Sequence, residues 1–325
     1  MRRVLILHTG GTLGMTGHPL EPGDFAERLL DHVPELSRLA KLQVHIECNL
    51  DSTNLGPPQW ASLAARVSEY RDAVDGFVVI HGTDTMAYTA GALSFALRGL
   101  DKPVVLTGAQ LPLIALRSDA RPNLADAVQV AGMDLPEVMI CFDGLLLRGC
   151  RAVKNDARSY RAFTTPGLGP LATLGIGVDV AMHVRRPTEA FHCDPRFDSG
   201  VGVVMVHPGL GPELFNSMLD SGRVRGLVLS ALGVGNVPQT NPEVLRAINR
   251  LVDQGVRVVA VTQWGGGVDL QAYETGRVLA DVGVINGGRM RVEAAVPKLM
   301  HALATLPDAD AQKAYITTDI AGEYA

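Results

Sequence analysis

The sequence predicts an α/β protein of two domains, a larger N-terminal one with a mainly parallel sheet and a smaller C-terminal one. Three observations carry that expectation. At 325 residues the chain exceeds the size at which a single hydrophobic core keeps growing, so it should divide. Short apolar, β-branched runs alternate with longer helical patterns, as strand–helix–strand units require. Around 181–200 the periodicity fails in A-M-H-V-R-R-P-T-E-A-F-H-C-D-P-R-F-D-S-G, a stretch of mixed charge with two prolines and no apolar stripe, which marks a linker.

Taken in order, strands are expected at Val4–Leu7, Gln43–Ile46, Phe77–Ile80, Val104–Thr107 and Val138–Phe142, then at Val201–His207, Gly226–Leu229 and Val256–Thr262. Their near-continuous apolar character suits strands covered on both faces of a parallel sheet. Helices are expected at Pro57–Ala73, Ala87–Leu97, Asn123–Ala131, Pro242–Gln254 and Val292–Ala304. Pro57 and Pro58 fit a first helical turn, where a missing N–H has no partner to lose. The expected organisation is therefore an N-terminal domain 1–184, a linker 185–200 and a C-terminal domain 201–325, without internal repeats.

Composition excludes several classes of function. Hydrophobic residues make up 47% and charged residues 19%, which is too apolar for disorder. Net charge is −5, from 29 basic and 34 acidic residues with no basic run, so no nucleic-acid partner is expected. No apolar stretch approaches the ~18 residues of a membrane span. Met1-Arg2-Arg3 before Val4–Leu7 imitates a signal peptide, but the apolar stretch stops at His8 and no small-residue cleavage site follows, which points to the cytosol. The four cysteines lack C-x-x-C or zinc spacing, the nine histidines lack H-E-x-x-H, and no G-x-G-x-x-G follows the first strand. Neither a metal nor another cofactor is expected.

Three polar clusters follow predicted strands of the first domain: His8-Thr9-Gly10-Gly11-Thr12, His81-Gly82-Thr83-Asp84-Thr85, and Cys150-Arg151-Ala152-Val153-Lys154. Carboxyl ends of parallel strands share one edge, where ligands bind at a topological switch point. Threonine hydroxyls, a carboxylate and an ammonium can therefore meet there. A threonine becomes a nucleophile when a neighbour takes its proton, and a lysine oriented by a carboxylate is such a neighbour. Gly10-Gly11 permit close backbone approach, so that N–H groups face a developing oxyanion. Each cluster also has a plainer reading. Gly-Gly-Thr resembles a phosphate-binding turn. Asp84 or Thr85 reads as a cap for the following helix. Lys154, near Arg148, Arg151 and Arg158, reads as a solvated charge, and Asp51-Ser52 as a turn.

Together the segments resemble a known family. T-G-G-T at 9–12 and H-G-T-D-T-M at 81–86 are similar to the two signature motifs of bacterial-type L-asparaginases. The likeness continues through D-S-T-N-L at 51–55, K-P-V-V-L-T-G-A-Q-L-P at 102–112, L-R-S-D at 116–119, A-V-K at 152–154 and G-V-G-N-V-P at 233–238. M-A-Y-T-A after the second motif and the absent signal peptide look like the cytoplasmic type I branch. The resemblance implies an asparaginase-like two-domain fold and hydrolysis of the side-chain amide of L-asparagine, a small-molecule substrate. It makes Thr12 the nucleophile and Thr83, Lys154 and Asp84 a relay. It assigns Gly11, Asp51, Ser52, Gly82 and Asp84 to substrate binding. It also implies a homo-oligomer, a dimer or a tetramer built as a dimer of dimers, with Asn236 a contributor from a neighbouring subunit.

The sequence departs from that pattern in three places. The loop Leu13–Gly23 lacks the tyrosine that type II enzymes use, leaving Thr16 and His18 as its polar stand-ins. Gly265-Gly266-Gly267-Val268 lacks the glutamate that type II sites draw from a neighbour. Some type I enzymes are activated by asparagine through an arginine near G-V-G-N and a cysteine after T-Q. Here Ser230 and Trp264 stand at those places, so hyperbolic kinetics are expected. Two other functions fit the same motifs: an asparaginase-like subunit of a tRNA-dependent amidotransferase, and a non-catalytic amino-acid-binding homologue.

Overall fold

Parallel strands need crossovers long enough to carry a helix, and the alternation in the sequence becomes such crossovers twice along the chain. The computed structural model describes residues 1–16, 21–22, 29–238 and 242–325. Its contacts divide the chain into Met1–Pro195 and Arg196–Ala325.

The N-terminal unit is built on eight strands: β1 Arg3–Gly10, β2 Lys41–Leu50, β3 Gly76–Ile80, β4 Val104–Thr107, β5 Val138–Phe142, β6 Leu145–Arg148, β7 Ala172–Leu174 and β8 Val178–Val180. They lie in the order β8-β7-β6-β5-β4-β3-β1-β2. β2, β1, β3, β4 and β5 are parallel neighbours. Helices α1 Pro57–Tyr70, α2 Met86–Ala96 and α3 Ala120–Ala131 accompany them. Alternation along each strand sends Val4, Ile6, Val78, Ile80, Val105 and Met139 into one core with Leu124, Ala127 and Val128 of α3. α2 is buried almost throughout; the Trp60 indole N–H of α1 donates to Thr89 Oγ1 on it at 3.0 Å.

From β6 onward the sheet turns antiparallel, which the strand pattern did not anticipate. Asp143 and Gly144 sit between β5 and β6 with φ of +50° and +68°, the two left-handed residues of a tight hairpin. Asp-Gly is itself a hairpin signal in the sequence. Arg148 on β6 is buried and forms an ion pair with Glu137, at 2.6 Å from Nε to Oε2. Its Nη2 donates to the His183 carbonyl at 2.7 Å, and Arg185 N donates to Glu137 Oε1 at 2.6 Å. Further on, His192–Cys193 pairs antiparallel with Leu97–Arg98. The stretch 185–195 is thus stitched to the N-terminal unit by backbone and ion-pair contacts.

The C-terminal unit has four parallel strands, β9 Val201–Met205, β10 Gly226–Ala231, β11 Arg257–Thr262 and β12 Ile285–Asn286, lying side by side in chain order. Helices α4 Glu213–Ser221, α5 Pro242–Asp253 and α6 Glu274–Asp281 connect them. Phe215, Ile248, Leu251 and Leu279 from these helices share a core with Val204, Leu229 and Ala260. Helix α7 Val292–Thr305 also packs on the sheet, and α8 Ala309–Thr317 packs on α7. Among the described residues no helix is long and apolar enough to cross a membrane.

Candidate active site

The strand order reverses at β1: the chain goes from β1 to β2 on one side, then to β3 on the other. The connections leaving β1 and β3 therefore run to opposite sides beyond their carboxyl ends, the place in an open α/β sheet where a ligand crevice is expected. Thr12 follows β1 and Thr83 follows β3. Gly11 has φ +92°, a left-handed value that favours glycine, and Thr12 then opens the short turn Thr12–Gly14. A Cβ at Gly11 would lie 2.5 Å from the Gly82 nitrogen, and one at Gly82 would lie 2.7 Å from Ser52 Oγ. The T-G-G-T and H-G-T-D backbones are thus in direct contact, and the Ser52 side chain packs on Gly82, because these positions carry no side chain. Thr85 Oγ1 fastens the H-G-T-D loop to the D-S segment by donating to the Ser52 carbonyl at 2.6 Å.

Lys154 reaches this crevice. Its ammonium donates to Thr83 Oγ1 at 2.8 Å and to Asp84 Oδ1 at 2.5 Å. The lysine side chain is 17% exposed and Asp84 57%, so the ammonium is largely withdrawn from water and is not a solvated surface charge. Helix α2 begins after Thr85 with no side-chain cap bond; Asp84 is paired with Lys154. The route of Lys154 differs from the expected one. β5 ends at the carboxyl edge, but antiparallel β6 carries the chain back, pairing Arg148 with Met139. Lys154 then returns on a two-residue strand, Val153–Lys154, paired with Phe163–Thr164.

Asp51 Oδ1 accepts from Thr53 N at 2.8 Å and from Thr53 Oγ1 at 2.7 Å. The backbone bond first, then the hydroxyl, holds its carboxyl below the usual range, so it is an anion at neutral pH. It starts the turn Ser52–Asn54, in which Ser52 is buried. Thr16 lies in the short strand Met15–Thr16, paired with Glu21–Pro22, and His18 falls outside the described residues. Asn236 belongs to the C-terminal unit, in a turn after β10 where Leu232 and Asn236 exchange backbone hydrogen bonds at 3.0 and 2.7 Å.

A hydroxyl that accepts from an ammonium, beside a carboxylate and facing a second threonine loop, is equipped for acyl transfer. Comparison with known proteins agrees with that geometry. The family model described as "Asparaginase, N-terminal" matches residues 3–187, and that of the "Glutaminase/Asparaginase C-terminal domain" matches residues 200–316. The chain belongs to the asparaginase family. It is 36% identical to L-asparaginase 1 of Escherichia coli (strain K12), an alignment covering 99% of this chain and 98% of that protein. The solved structure of L-asparaginase I from Vibrio cholerae O1 biovar eltor str. N16961 superposes with a TM-score of 0.91 at 36% identity, covering 100% of this chain and 99% of that one. The thermostable L-asparaginase from Thermococcus kodakarensis gives a TM-score of 0.91 at 33% identity, covering 99% of each chain.

Within this asparaginase chain, sequence reasoning gave no role to Gln110, although it follows β4 at the same edge. Thr83 Oγ1 donates to Gln110 Oε1 at 3.2 Å, and Gln110 Nε2 donates to the Ser159 carbonyl at 3.0 Å. Asp119 accepts from the Gln110 and Leu111 N–H groups at 3.0 and 3.1 Å, fixing that loop. The signal was present: a polar residue in the loop that leaves a buried parallel strand. His81, noted in the second cluster, was likewise given no role. It is fully buried, its pKa is pushed down to about 4 by desolvation, and its ring bridges the Gly82 carbonyl at 2.7 Å and Thr89 Oγ1 at 2.9 Å.

Proposed function

We propose that the chain is an L-asparaginase that hydrolyses the side-chain amide of L-asparagine to L-aspartate and ammonia, with Thr12 as nucleophile. The observation that carries this is the Thr83–Lys154–Asp84 chain of hydrogen bonds at the β1/β3 crevice, where the Thr12 loop also lies. Thr12 Oγ attacks the amide carbon, its proton passes to the leaving nitrogen, and ammonia departs. A water then cleaves the resulting ester to aspartate. Lys154 donates to the Thr83 oxygen and so favours negative charge there, which suits Thr83 to drawing a proton from the nucleophile or from water. The Gly10 and Gly11 N–H groups are already bonded to His8 and to the Leu50 carbonyl, so the oxyanion falls to other backbone N–H groups of the Thr12 and Gly82 loops.

Selection of a free amino acid follows from charge. The Asp51 carboxylate suits the α-ammonium of the substrate, while Ser52, Gly82 and Asp84 border the same space. The protein works in the cytosol as a homo-oligomer, with Asn236 offered to a neighbouring subunit; the type I motif pattern and the likeness to L-asparaginase 1 support that reading. The deciding experiment is ammonia release from purified protein with asparagine and glutamine side by side. Asparagine should be strongly preferred. With the α-groups fixed, one extra methylene displaces the amide carbon, and a misplacement of ~1 Å costs ~100-fold in rate. Comparable kcat/KM for the two amides, or no ammonia from either, overturns the reading.

A further inference from the structure

The ladder between β1 and β2 runs from Arg3 opposite Lys41 to His8 opposite Ile46, breaks, and resumes with Gly10 opposite Leu50. Across the break β2 spends Glu47, Cys48 and Asn49 where β1 spends only Thr9. A bulge of this kind removes backbone groups from the ladder, and buried groups must find partners elsewhere. The His8 imidazole, 1% exposed, fills the opening. Its Nδ1 accepts the Gly10 N–H at 3.1 Å, and a backbone hydrogen bond joins the ring to Cys48. Cys48 Sγ in turn donates to the Thr9 carbonyl at 3.3 Å, and Gly11 N donates to the Leu50 carbonyl at 3.2 Å. Burial keeps this ring uncharged at neutral pH, with its pKa down to about 4. A neutral imidazole that accepts at Nδ1 carries its proton on Nε2.

Directly after this ring the chain enters the Gly10–Gly11 pair. Gly10 and Gly11 hold φ of +111° and +92°, and two successive glycines define a direction poorly unless their N–H groups are fixed. We propose that His8 is a positioning residue of the nucleophile loop: as a neutral acceptor at Nδ1 it fixes Gly10, and through Gly10–Gly11 the direction of the Thr12 hydroxyl. The proposal rests on Thr12 being the nucleophile. His81, which precedes the second motif, works in the opposite sense. Its Nδ1 faces a carbonyl oxygen, so that nitrogen carries the proton and Nε2 accepts from Thr89. One histidine holds an N–H and the other a C=O, each at the entry of a motif loop.

The test compares His8→Leu, which removes the acceptor at similar size, with His8→Asn, whose side-chain oxygen falls near the Nδ1 position. His8→Leu should lower kcat by about 10- to 100-fold with KM little changed, because the groups that border the α-carbon end are untouched. His8→Asn should recover most of the lost kcat. Wild-type turnover in the leucine variant, or equal impairment of the two, overturns the proposal. Should the leucine variant not fold, His8→Gln replaces it: glutamine places its oxygen near Nε2, so asparagine should outperform it, and parity overturns the idea. Imidazole 15N shifts of the wild type provide a readout that needs no turnover, with Nε2–H and a slowly exchanging Gly10 amide expected. An Nδ1-protonated His8 in an enzyme that hydrolyses asparagine refutes the positioning role alone. A wild type that releases no ammonia, with His8 as described, refutes the functional reading alone.

Discussion

In the N-terminal unit the strand order reverses between β1 and β3, whereas the four strands of the C-terminal unit follow one another in chain order. Both sheets bring polar residues to their carboxyl edges. At the first edge those residues bond across loops, Lys154 to Thr83 and Asp84, beside the Thr12 loop that packs on Gly82. At the second edge they bond back to the backbone. Gln263 Nε2 donates to the Val206 and Ser230 carbonyls at 2.6 and 2.9 Å, and Thr262 Oγ1 donates to the Gly233 carbonyl at 2.5 Å. Arg291 spans the carbonyls of Thr262, Gln263 and Trp264 at 3.3, 3.1 and 2.5 Å. Similar side chains at similar places thus bond to one another across loops in one unit and close the backbone in the other. The difference follows from topology: a reversal parts neighbouring loops, while sequential crossovers carry each loop over the next strand end.

That contrast can be broken most directly at the first edge. Thr12→Ala and Thr83→Ala should each lower kcat by several orders of magnitude while thermal unfolding stays cooperative, because each removes a single reacting or relay hydroxyl and little packing. Near-native turnover in either would mean that the crevice is not the reaction centre. Lys154→Met should be nearly inactive yet folded, losing both bonds to Thr83 and Asp84; for a plain surface charge, the change would alter stability by within ~0.5 kcal/mol and leave activity intact. Steady-state rates beside a denaturation curve distinguish the two.

In the C-terminal unit the largest response should be in stability. Lys298 and Glu323 are both fully buried and paired, and the ammonium also donates to the Ile316 and Thr318 carbonyls at 3.0 and 2.6 Å. Lys298→Met strands a buried carboxylate and should cost about 3–5 kcal/mol, read by urea unfolding, with kcat of the folded enzyme little changed. A kcat loss matching that of Lys154→Met would abolish the distinction between the units. Thr262→Val is the mildest case: it removes one hydrogen bond and should cost about 1 kcal/mol. Because Thr262 holds the turn that carries Asn236, a rise in KM without a stability change would instead assign that turn to substrate binding.

Much of this molecule could be read from the chain. The apolar runs at Val104–Thr107 and Val138–Phe142 became strands with those same bounds, since a strand buried on both faces must be apolar at every position. The motif residues were legible for a related reason. A loop that meets another backbone accepts only glycine, as Gly11 shows against Gly82, and polar residues after buried strands have one edge to occupy. The sequence alone left Asp84 as readily a helix cap as a partner of Lys154. Only the folded chain decided between them, because Lys154 is 70 residues distant and returns through a hairpin whose Asp143-Gly144 turn reverses the sheet. Gln110 and His8 were likewise settled by tertiary structure. Gln110 meets Thr83 and Ser159, and His8 meets Cys48, only through the fold, while the bonds of His8 to Gly10 and of His81 to Gly82 and Thr89 are near in sequence. Side-chain chemistry says what a residue is able to bond, whereas topology decides which distant partner it meets.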